Sequence, residues 1–177
     1  MQSFLTEKTY VFVNRLDSSD KVAWKMKAAV VGQDTIFETS IYNGGKLTEK
    51  ITEKAANGSS RLTRYEFFNG GKSSVGMIGD AQVYRCDLTT SELISWSVSY
   101  SDPLTSRRVL VQKLRSLESS DETKQVFEDN MRLYSAEAGI NYSYKITFTY
   151  EKGKGAVSYI ISAANSYLKE YYLAEIR

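Results

Sequence analysis

The chain is 177 residues long, and 42% of its residues are hydrophobic and 25% charged, as expected for one soluble globular domain spanning residues 1–177. Its 23 basic and 21 acidic residues leave a formal net charge of +2, which gives no electrostatic reason to expect a nucleic acid or an anionic membrane as partner. The sequence contains no histidine, which excludes Ser-His-Asp and Cys-His catalysis and almost every zinc or non-haem iron site.

The single cysteine, Cys86, can form neither an internal disulfide nor a CxxC redox pair. It lies in "AQVYRCDL", a predicted strand, where it is expected to act as a small buried hydrophobic residue. No apolar run approaches the roughly 18 residues that a membrane-spanning helix needs. The first residues, "MQSFLTEKTY", lack the basic and apolar regions of a signal peptide. Two interpretations stay open: a cytoplasmic protein, or an exported one whose signal is replaced by Met1.

The first predicted strand is "KVAWKMKAAVV", in which apolar and basic residues alternate. One face carries Val22, Trp24, Met26, Ala28 and Val30, and the other carries Lys25 and Lys27. A period of two is typical of a strand with one buried face. The following "GQD" predicts a turn, and "TIFETSIY" predicts the next strand.

Two Asn-Gly-Gly triplets predict two β-hairpins. The first, Asn43 to Gly45, lies between "TIFETSIY" and the alternating "KLTEKITEK", and the second, Asn69 to Gly71, lies between "RLTRYEFF" and "SSVGMIGDAQVYR". Asn and Gly accept the positive φ that tight hairpin turns require. The aromatic residue before each triplet suits cross-strand packing beside the turn. The connection "AANGSS" between the two hairpins is expected to be looser.

Later strands are predicted in "ELISWSVSY", "RRVLVQKLRSL", "NYSYKITFTY" and "AVSYIISA", with Pro103 in a turn. The tail "SYLKEYYLAEIR" predicts a final strand or a short helix, and its "KEYYLAEIR" has the charges of an edge strand, either protected or available for docking. The segment "ESSDETKQVFEDNMRLYSAEAG" has an N-cap-like start and Gly139 at its end, which predicts a short helix or ordered loop near residues 122–131. The predicted fold class is all-β, an antiparallel meander curled into an open or half barrel.

The order of several segments resembles an uncharacterised family of exported Bacteroidetes domains. The segments are "VGQDTIFETS", "IYNGGKL", "SWSVSYSDP", "VFEDNMRLYS", "YSYKITFTYEKGKGAVSYII" and "YYLAEIR". Tyr42 to Leu47, Ser97 to Pro103 and Val126 to Ser135 occupy the places of three family motifs, whereas the stretch from Val109 to Gln125 is longer and looks inserted. The resemblance implies a secreted or periplasmic β-meander with its signal removed, related in shape to lipoprotein-carrier half-barrels. It implies no activity.

Aromatic residues on the predicted strands are the candidates for a binding site. Most are expected to fill the core, but some are candidates to line a cavity in the concave face of the sheet and to hold an apolar ligand such as a lipid tail. The candidate ligand-binding residues are Trp24, Met26, Trp96, Val98 and Phe148. Stacking on a sugar is a further interpretation, whereas stacking on a nucleobase is disfavoured because the chain has no basic patch.

Three function hypotheses follow from these features. The first is a non-enzymatic exported or envelope protein that binds an apolar small molecule or lipid, without a cofactor or a metal. The second is a protein-interaction or assembly module that acts through an edge strand or an exposed sheet face. The third is an enzyme of unrecognised type. It is disfavoured because neighbouring carboxylates such as Glu49 and Glu53 lie among lysines, a pattern typical of solvated charge, and no catalytic motif occurs.

Overall fold

The structure, a computed structural model, describes residues 3–56, 59–79, 84–85, 94–163 and 167–177. These residues contain fourteen strands, all antiparallel and all in one sheet. The strands are β1 (Ser3–Asn14), β2 (Lys21–Val31), β3 (Asp34–Asn43), β4 (Lys46–Ala56), β5 (Ser59–Asn69), β6 (Lys72–Val75), β7 (Met77–Ile78), β8 (Tyr84–Arg85), β9 (Ile94–Ser101), β10 (Arg108–Ser120), β11 (Lys124–Ser135), β12 (Ile140–Glu151), β13 (Gly155–Ala163) and β14 (Tyr167–Ile176). No helix occurs within the described residues, and the all-β prediction is confirmed.

The strands follow one another as a meander, also as predicted. Consecutive strands pair with each other from β1 through to β6 and again from β9 through to β14. In addition, β14 pairs with β1, and β8 pairs with β5 beside this path. The two ends of the order, β6 and β7, are consecutive in the chain on either side of Gly76. Because β6 pairs with β5 and β7 pairs with β9, this short stretch bridges both ends of the sheet. The sheet therefore curls beyond a half barrel and nearly closes.

Both predicted Asn-Gly-Gly hairpins are confirmed. Gly44 and Gly45 join β3 to β4 with φ angles of 54° and 78°, and the second triplet repeats this geometry between β5 and β6. Glycine adopts positive φ without a steric penalty, so each two-residue turn is favourable for its sequence. Pro103 lies in the turn between β9 and β10, as predicted. Cys86 and the residues 57–58 between β4 and β5 lie outside the described part of the chain.

The prediction of a short helix or ordered loop near residues 122–131 is wrong. Residues 121–123 form a tight connection after β10, and β11 begins at Lys124. Asp121 Oδ1 accepts hydrogen bonds of 2.7 Å from the backbone N–H groups of Thr123 and Lys124. An Asp at a helix N-terminus satisfies backbone donors in the same way, so the two structures share a sequence signature. The stretch from Val109 to Gln125, which looked inserted, forms most of β10 and this connection.

The prediction that "KEYYLAEIR" forms a sheet edge is also wrong. β14 pairs with β13 on one side and with β1 on the other. The reason is β1 itself, Ser3–Asn14, a strand that the sequence pattern did not indicate. Because the last strand returns to the first, the charged side chains of the tail do not mark an unpaired edge.

Two clusters of buried side chains fill the barrel. The closure core lies where β5, β9 and β10 come together, and it consists of Leu62, Tyr65, Trp96, Val98, Tyr100, Val109 and Val111. The aromatic core lies among β1, β2, β12, β13 and β14, and it consists of Phe12, Val22, Phe148, Ala156, Tyr159 and Tyr171. Burying such side chains is the main favourable contribution to folding.

Candidate functional site

A cavity of about 270 Å³ lies inside the barrel, bordered by side chains of both cores. One part of its wall is apolar and includes Tyr10, Trp24, Met26, Trp96 and Phe148. The other part is polar and carries three charged residues, Glu53, Lys113 and Arg115. The cavity lies near the lower end of the roughly 300–1,000 Å³ that is typical of small-molecule sites.

Four of the five predicted ligand-binding residues line this cavity. Trp24 and Met26 reach it from β2, Trp96 from β9 and Phe148 from β12. Val98 is placed elsewhere: it is completely buried in the closure core. That these residues bind a ligand remains a prediction.

The register of the strands explains why these side chains meet. Residues that face each other across neighbouring strands share one face of the sheet. Trp24 faces Tyr10 on β1 and Ile41 on β3, and all three line the cavity. On the opposite wall Lys113 faces Trp96 on β9. The inner face of the barrel is thus continuous from the aromatic core to the closure core.

A buried ion cluster forms the polar part of the wall. Arg115 donates two hydrogen bonds to Asp129, from Nε to Oδ1 at 2.5 Å and from Nη2 to Oδ2 at 2.9 Å. Lys113 Nζ lies 2.8 Å from Asp129 Oδ2, and the Asp129 side chain is only 1% exposed. Burial on its own would raise the pKa of Asp129, but Lys113 and Arg115 hold the pKa of this carboxyl below its ordinary value. Asp129 is therefore ionised at neutral pH.

The two cations also contact aromatic rings. Lys113 Nζ lies 5.6 Å from the centre of the Trp96 ring, and the guanidinium of Arg115 lies 5.4 Å from the rings of Phe127 and Phe148. Such distances are typical of cation–π interactions. Burial lowers the pKa of Lys113, and the charge and hydrogen bond of Asp129 act in the opposite direction, so the carboxylate offsets part of the desolvation penalty of the ammonium.

A second polar pair lies within the barrel. The Tyr65 hydroxyl donates a 2.9 Å hydrogen bond to Glu49 Oε2. Burial raises the pKa of Glu49 and raises that of Tyr65 well above its ordinary value. Burial also raises the pKa of Tyr144 to about 12. Both phenols stay protonated at neutral pH, so each keeps an O–H group, and that of Tyr65 is donated to Glu49.

Sequence reasoning missed the charged residues of the cavity. Lys113 and Arg115 alternate in step with Val109 and Val111, which are buried, so they occupy inward positions of β10. Asp129 occupies the same kind of position on β11, opposite Arg115. A charged residue at an inward position of an alternating strand is the signal that could have indicated them, because such a charge must be paired.

A larger outer cavity, of about 600 Å³, adjoins the interior one. It lies at the end of the barrel between the β10–β11 and β12–β13 connections, and it shares Arg115, Tyr150 and Gly155 with the interior cavity. The three shared residues mark the place at which the interior cavity approaches the outside of the barrel.

The described residues contain no group of three or more Cys, Asp or Glu residues that could hold a metal ion. Within the same residues, no helix is long and apolar enough to cross a membrane. The cavity combines an apolar wall with two cations, Lys113 and Arg115, that Asp129 holds at one side.

The fold and cavity define the chain as an antiparallel β-barrel protein with a partly charged interior. The chain is similar in structure to a protein from Parabacteroides distasonis ATCC 8503 whose crystal structure is described as that of a "putative lipoprotein". The TM-score is 0.61, and the match covers 97% of this chain and 95% of that chain at 12% sequence identity. At that identity the likeness shows a common fold. No family model matches the sequence, and no curated protein matches it significantly.

Proposed function

We propose that this chain is a non-enzymatic exported protein of the cell envelope that binds an apolar ligand inside its barrel. The observation that carries the proposal is the interior cavity, with Trp24, Met26, Trp96 and Phe148 on its wall. Flat aromatic and flexible thioether side chains around a concave interior space are typical of sites for apolar small molecules.

Stability alone does not account for this interior. Interior space that side chains leave unfilled costs packing contacts roughly in proportion to its volume. A buried ion cluster such as Asp129 with Lys113 and Arg115 is often no more stabilising than apolar residues of the same size. Both features occur at one place in the barrel, which favours a binding role for that place.

The proposed location has two supports. The resemblance to exported Bacteroidetes domains implies a secreted or periplasmic protein, and the similar structure from Parabacteroides distasonis is described as that of a "putative lipoprotein". Fractionation of cells that carry the complete gene is the test: we expect the protein in the envelope or periplasmic fraction, and its recovery with the cytoplasm would contradict this part of the proposal.

Ligand binding can be tested with the protein's own fluorescence. The chain has two tryptophans, Trp24 and Trp96, and both line the cavity. Titration with decanol should change the tryptophan emission in a saturable manner. Single-tryptophan variants, Trp24→Phe and Trp96→Phe, should each keep a response because each ring borders the same space.

Native mass spectrometry gives an independent test. Protein purified without detergent should carry an extra mass that denaturation releases, and the released compound can be identified. A native mass equal to that of the chain, together with tryptophan emission that decanol leaves unchanged, would contradict ligand binding. The alternative of assembly through an exposed sheet face would then be favoured by a native mass that is a multiple of the chain mass.

A further inference from the structure

The charged wall of the cavity narrows the class of ligand. Lys113 and Arg115 both line the cavity, whereas Asp129, which joins them, is almost completely buried. Asp129 carries one negative charge against two positive ones, so the three-residue cluster has a net charge of +1, which Glu53 elsewhere on the cavity wall balances. In a poorly solvated interior, the positive side of the cavity favours an anion beside it.

The ammonium group of Lys113 has donors for such an anion. A lysine ammonium has three N–H groups. Among the described residues, Asp129 is its hydrogen-bonded partner, at 2.8 Å, Glu53 acts on it through its charge, and the centre of the Trp96 ring lies 5.6 Å away. A second oxygen acceptor at this group would add a charge-assisted hydrogen bond. Arg115 is held by its two hydrogen bonds to Asp129, so the cluster is fixed before a ligand arrives.

Glu53 on β4 is the opposing charge in the cavity wall. It is half-buried, and its charge raises the pKa of Lys113 against the effect of burial. Glu49, the other inward carboxyl of β4, accepts the hydrogen bond of Tyr65. An anion beside Lys113 would be attracted by the ion cluster and repelled by Glu53. The two sides of the wall therefore act on it with opposite signs.

We infer that the ligand is a small single-chain amphiphile whose anionic head, a carboxylate or a phosphate monoester, lies at Lys113 and whose hydrocarbon chain lies against Trp24, Met26 and Phe148. The inference rests on the proposed function, because it assigns the polar end of a ligand in the same cavity. A volume of about 270 Å³ favours one chain over the several chains of a membrane phospholipid.

The test compares ligands that share one hydrocarbon chain. Tryptophan emission of the full chain is titrated with decanoate, decyl phosphate and decanol, each below its micellar concentration, and with acetate and inorganic phosphate. We expect at least one of the two anionic amphiphiles to bind at least about tenfold more tightly than decanol, as one added charge-assisted hydrogen bond would give. Decanoate against decyl phosphate distinguishes the two head groups.

Two variants with opposite expected effects complete the test. Lys113→Met should weaken binding of the anionic amphiphile to the level of decanol, a loss at least about tenfold larger than any change in the affinity for decanol. Glu53→Gln, in which the ion cluster is untouched, should strengthen binding of the same anion. A change that only disturbed the fold would not give effects of opposite sign, and Glu53→Gln remains informative even if Lys113→Met folds poorly.

Each outcome has a distinct meaning. Equal affinities for decanol and both anionic amphiphiles would overturn the anionic head and leave the proposed function standing. Acetate or inorganic phosphate binding as tightly as the amphiphiles would overturn the assignment of the hydrocarbon chain. An absence of response to all three amphiphiles would overturn the proposed function itself and this inference with it.

Discussion

The closure core and the aromatic core solve different packing problems in one barrel. In the closure core the chain passes so close to Val98 that a Cβ atom at Gly76 would lie 2.2 Å from Val98 Cγ1. In the aromatic core, by contrast, large rings pack against one another, with centres 4.7 Å apart for the stacked pair Tyr159 and Tyr171 and for Phe12 and the adjoining Trp24, which are tilted. The first region leaves no room for a side chain at Gly76, whereas the second, together with Trp96 of the first, borders the cavity.

The difference follows from the approach of the backbone as well as from the residue types. The closure core also contains the rings of Tyr65, Trp96 and Tyr100, but Gly76, which has no side chain, lets the two ends of the sheet approach each other at Val98. Beside the aromatic core, the rings of Trp24 and Phe148 border space that forms part of the cavity. The comparison teaches that closing the sheet at Gly76 and making room inside it depend on different positions, which can be changed separately.

The largest loss of stability is expected from substitution of Asp129, which pairs with Lys113 and Arg115 of the cavity wall. Asp129→Asn leaves Lys113 and Arg115 as buried cations without a carboxylate, and breaking such a cluster costs about 3–5 kcal/mol. Urea denaturation at neutral pH measures this loss. Glu128→Gln is the matched control: the neighbouring residue pairs on the other face with the half-exposed Lys145 at 2.9 Å, and its loss should cost at most about 1 kcal/mol.

Acid should destabilise the wild type in the way that Asp129→Asn does, because it protonates the Asp129 carboxylate. Because the folded-state pKa of Asp129 is lowered, its contribution to stability is present above the ordinary Asp range of about 3.9 and is lost as the pH falls through the lower folded value. Denaturation between neutral and acidic pH should therefore show a smaller loss for Asp129→Asn than for the wild type. Parallel pH profiles would contradict the role assigned to this carboxyl.

A smaller effect is expected at Gly76. Gly76→Ala places a methyl group against Val98 and Tyr65, whose nearest atoms would lie 2.2 Å and 3.3 Å away. Overpacking of this kind typically costs about 1–3 kcal/mol. Combining it with Val98→Ala should restore part of the stability, so the double mutant should be more stable than the sum of the single changes predicts. Strict additivity would show that the closure core has room after all.

The sequence predicts those parts of the fold that local chemistry determines. The Asn-Gly-Gly hairpins depend on four neighbouring residues, and strand alternation depends on about ten, so both can be seen in the sequence. The same alternation placed Trp24 and Met26 on one face. Asp121 shows the limit of local patterns, because its hydrogen bonds to the next backbone N–H groups suit a helix start and a hairpin turn equally well.

The candidate site depends on contacts that no local pattern contains. The pairing of Arg115 with Asp129 is set by the register of β10 and β11. Trp96 and Val98 lie two residues apart on the same face of β9, but only Trp96 lines the cavity. Val98 is covered instead by the close approach of Gly76. Whether an inward aromatic residue lines a cavity or fills a core is therefore a property of the closed barrel and not of its strands taken singly.

The smallest effect on stability, with a large effect on binding, is expected at Thr39. This half-buried residue of β3 lines the cavity between Met26 on β2 and Ile51 on β4. Thr39→Phe adds a ring where there is space, and phenylalanine suits a strand. The free energy of unfolding of Thr39→Phe, measured in urea, should equal that of the wild type or exceed it by up to about 1 kcal/mol, as is common for cavity filling.

The same variant separates the two cores by their response to added volume. Binding of decanol, followed by tryptophan emission, should weaken at least about tenfold in Thr39→Phe, whereas Thr39→Val, which keeps the shape, should bind as the wild type does. One added methyl group at Gly76 should destabilise the barrel, and a whole ring at Thr39 should not. If Thr39→Phe instead destabilises the protein as Gly76→Ala does, the cavity is no more accommodating than the closure core, and the distinction between the two regions fails.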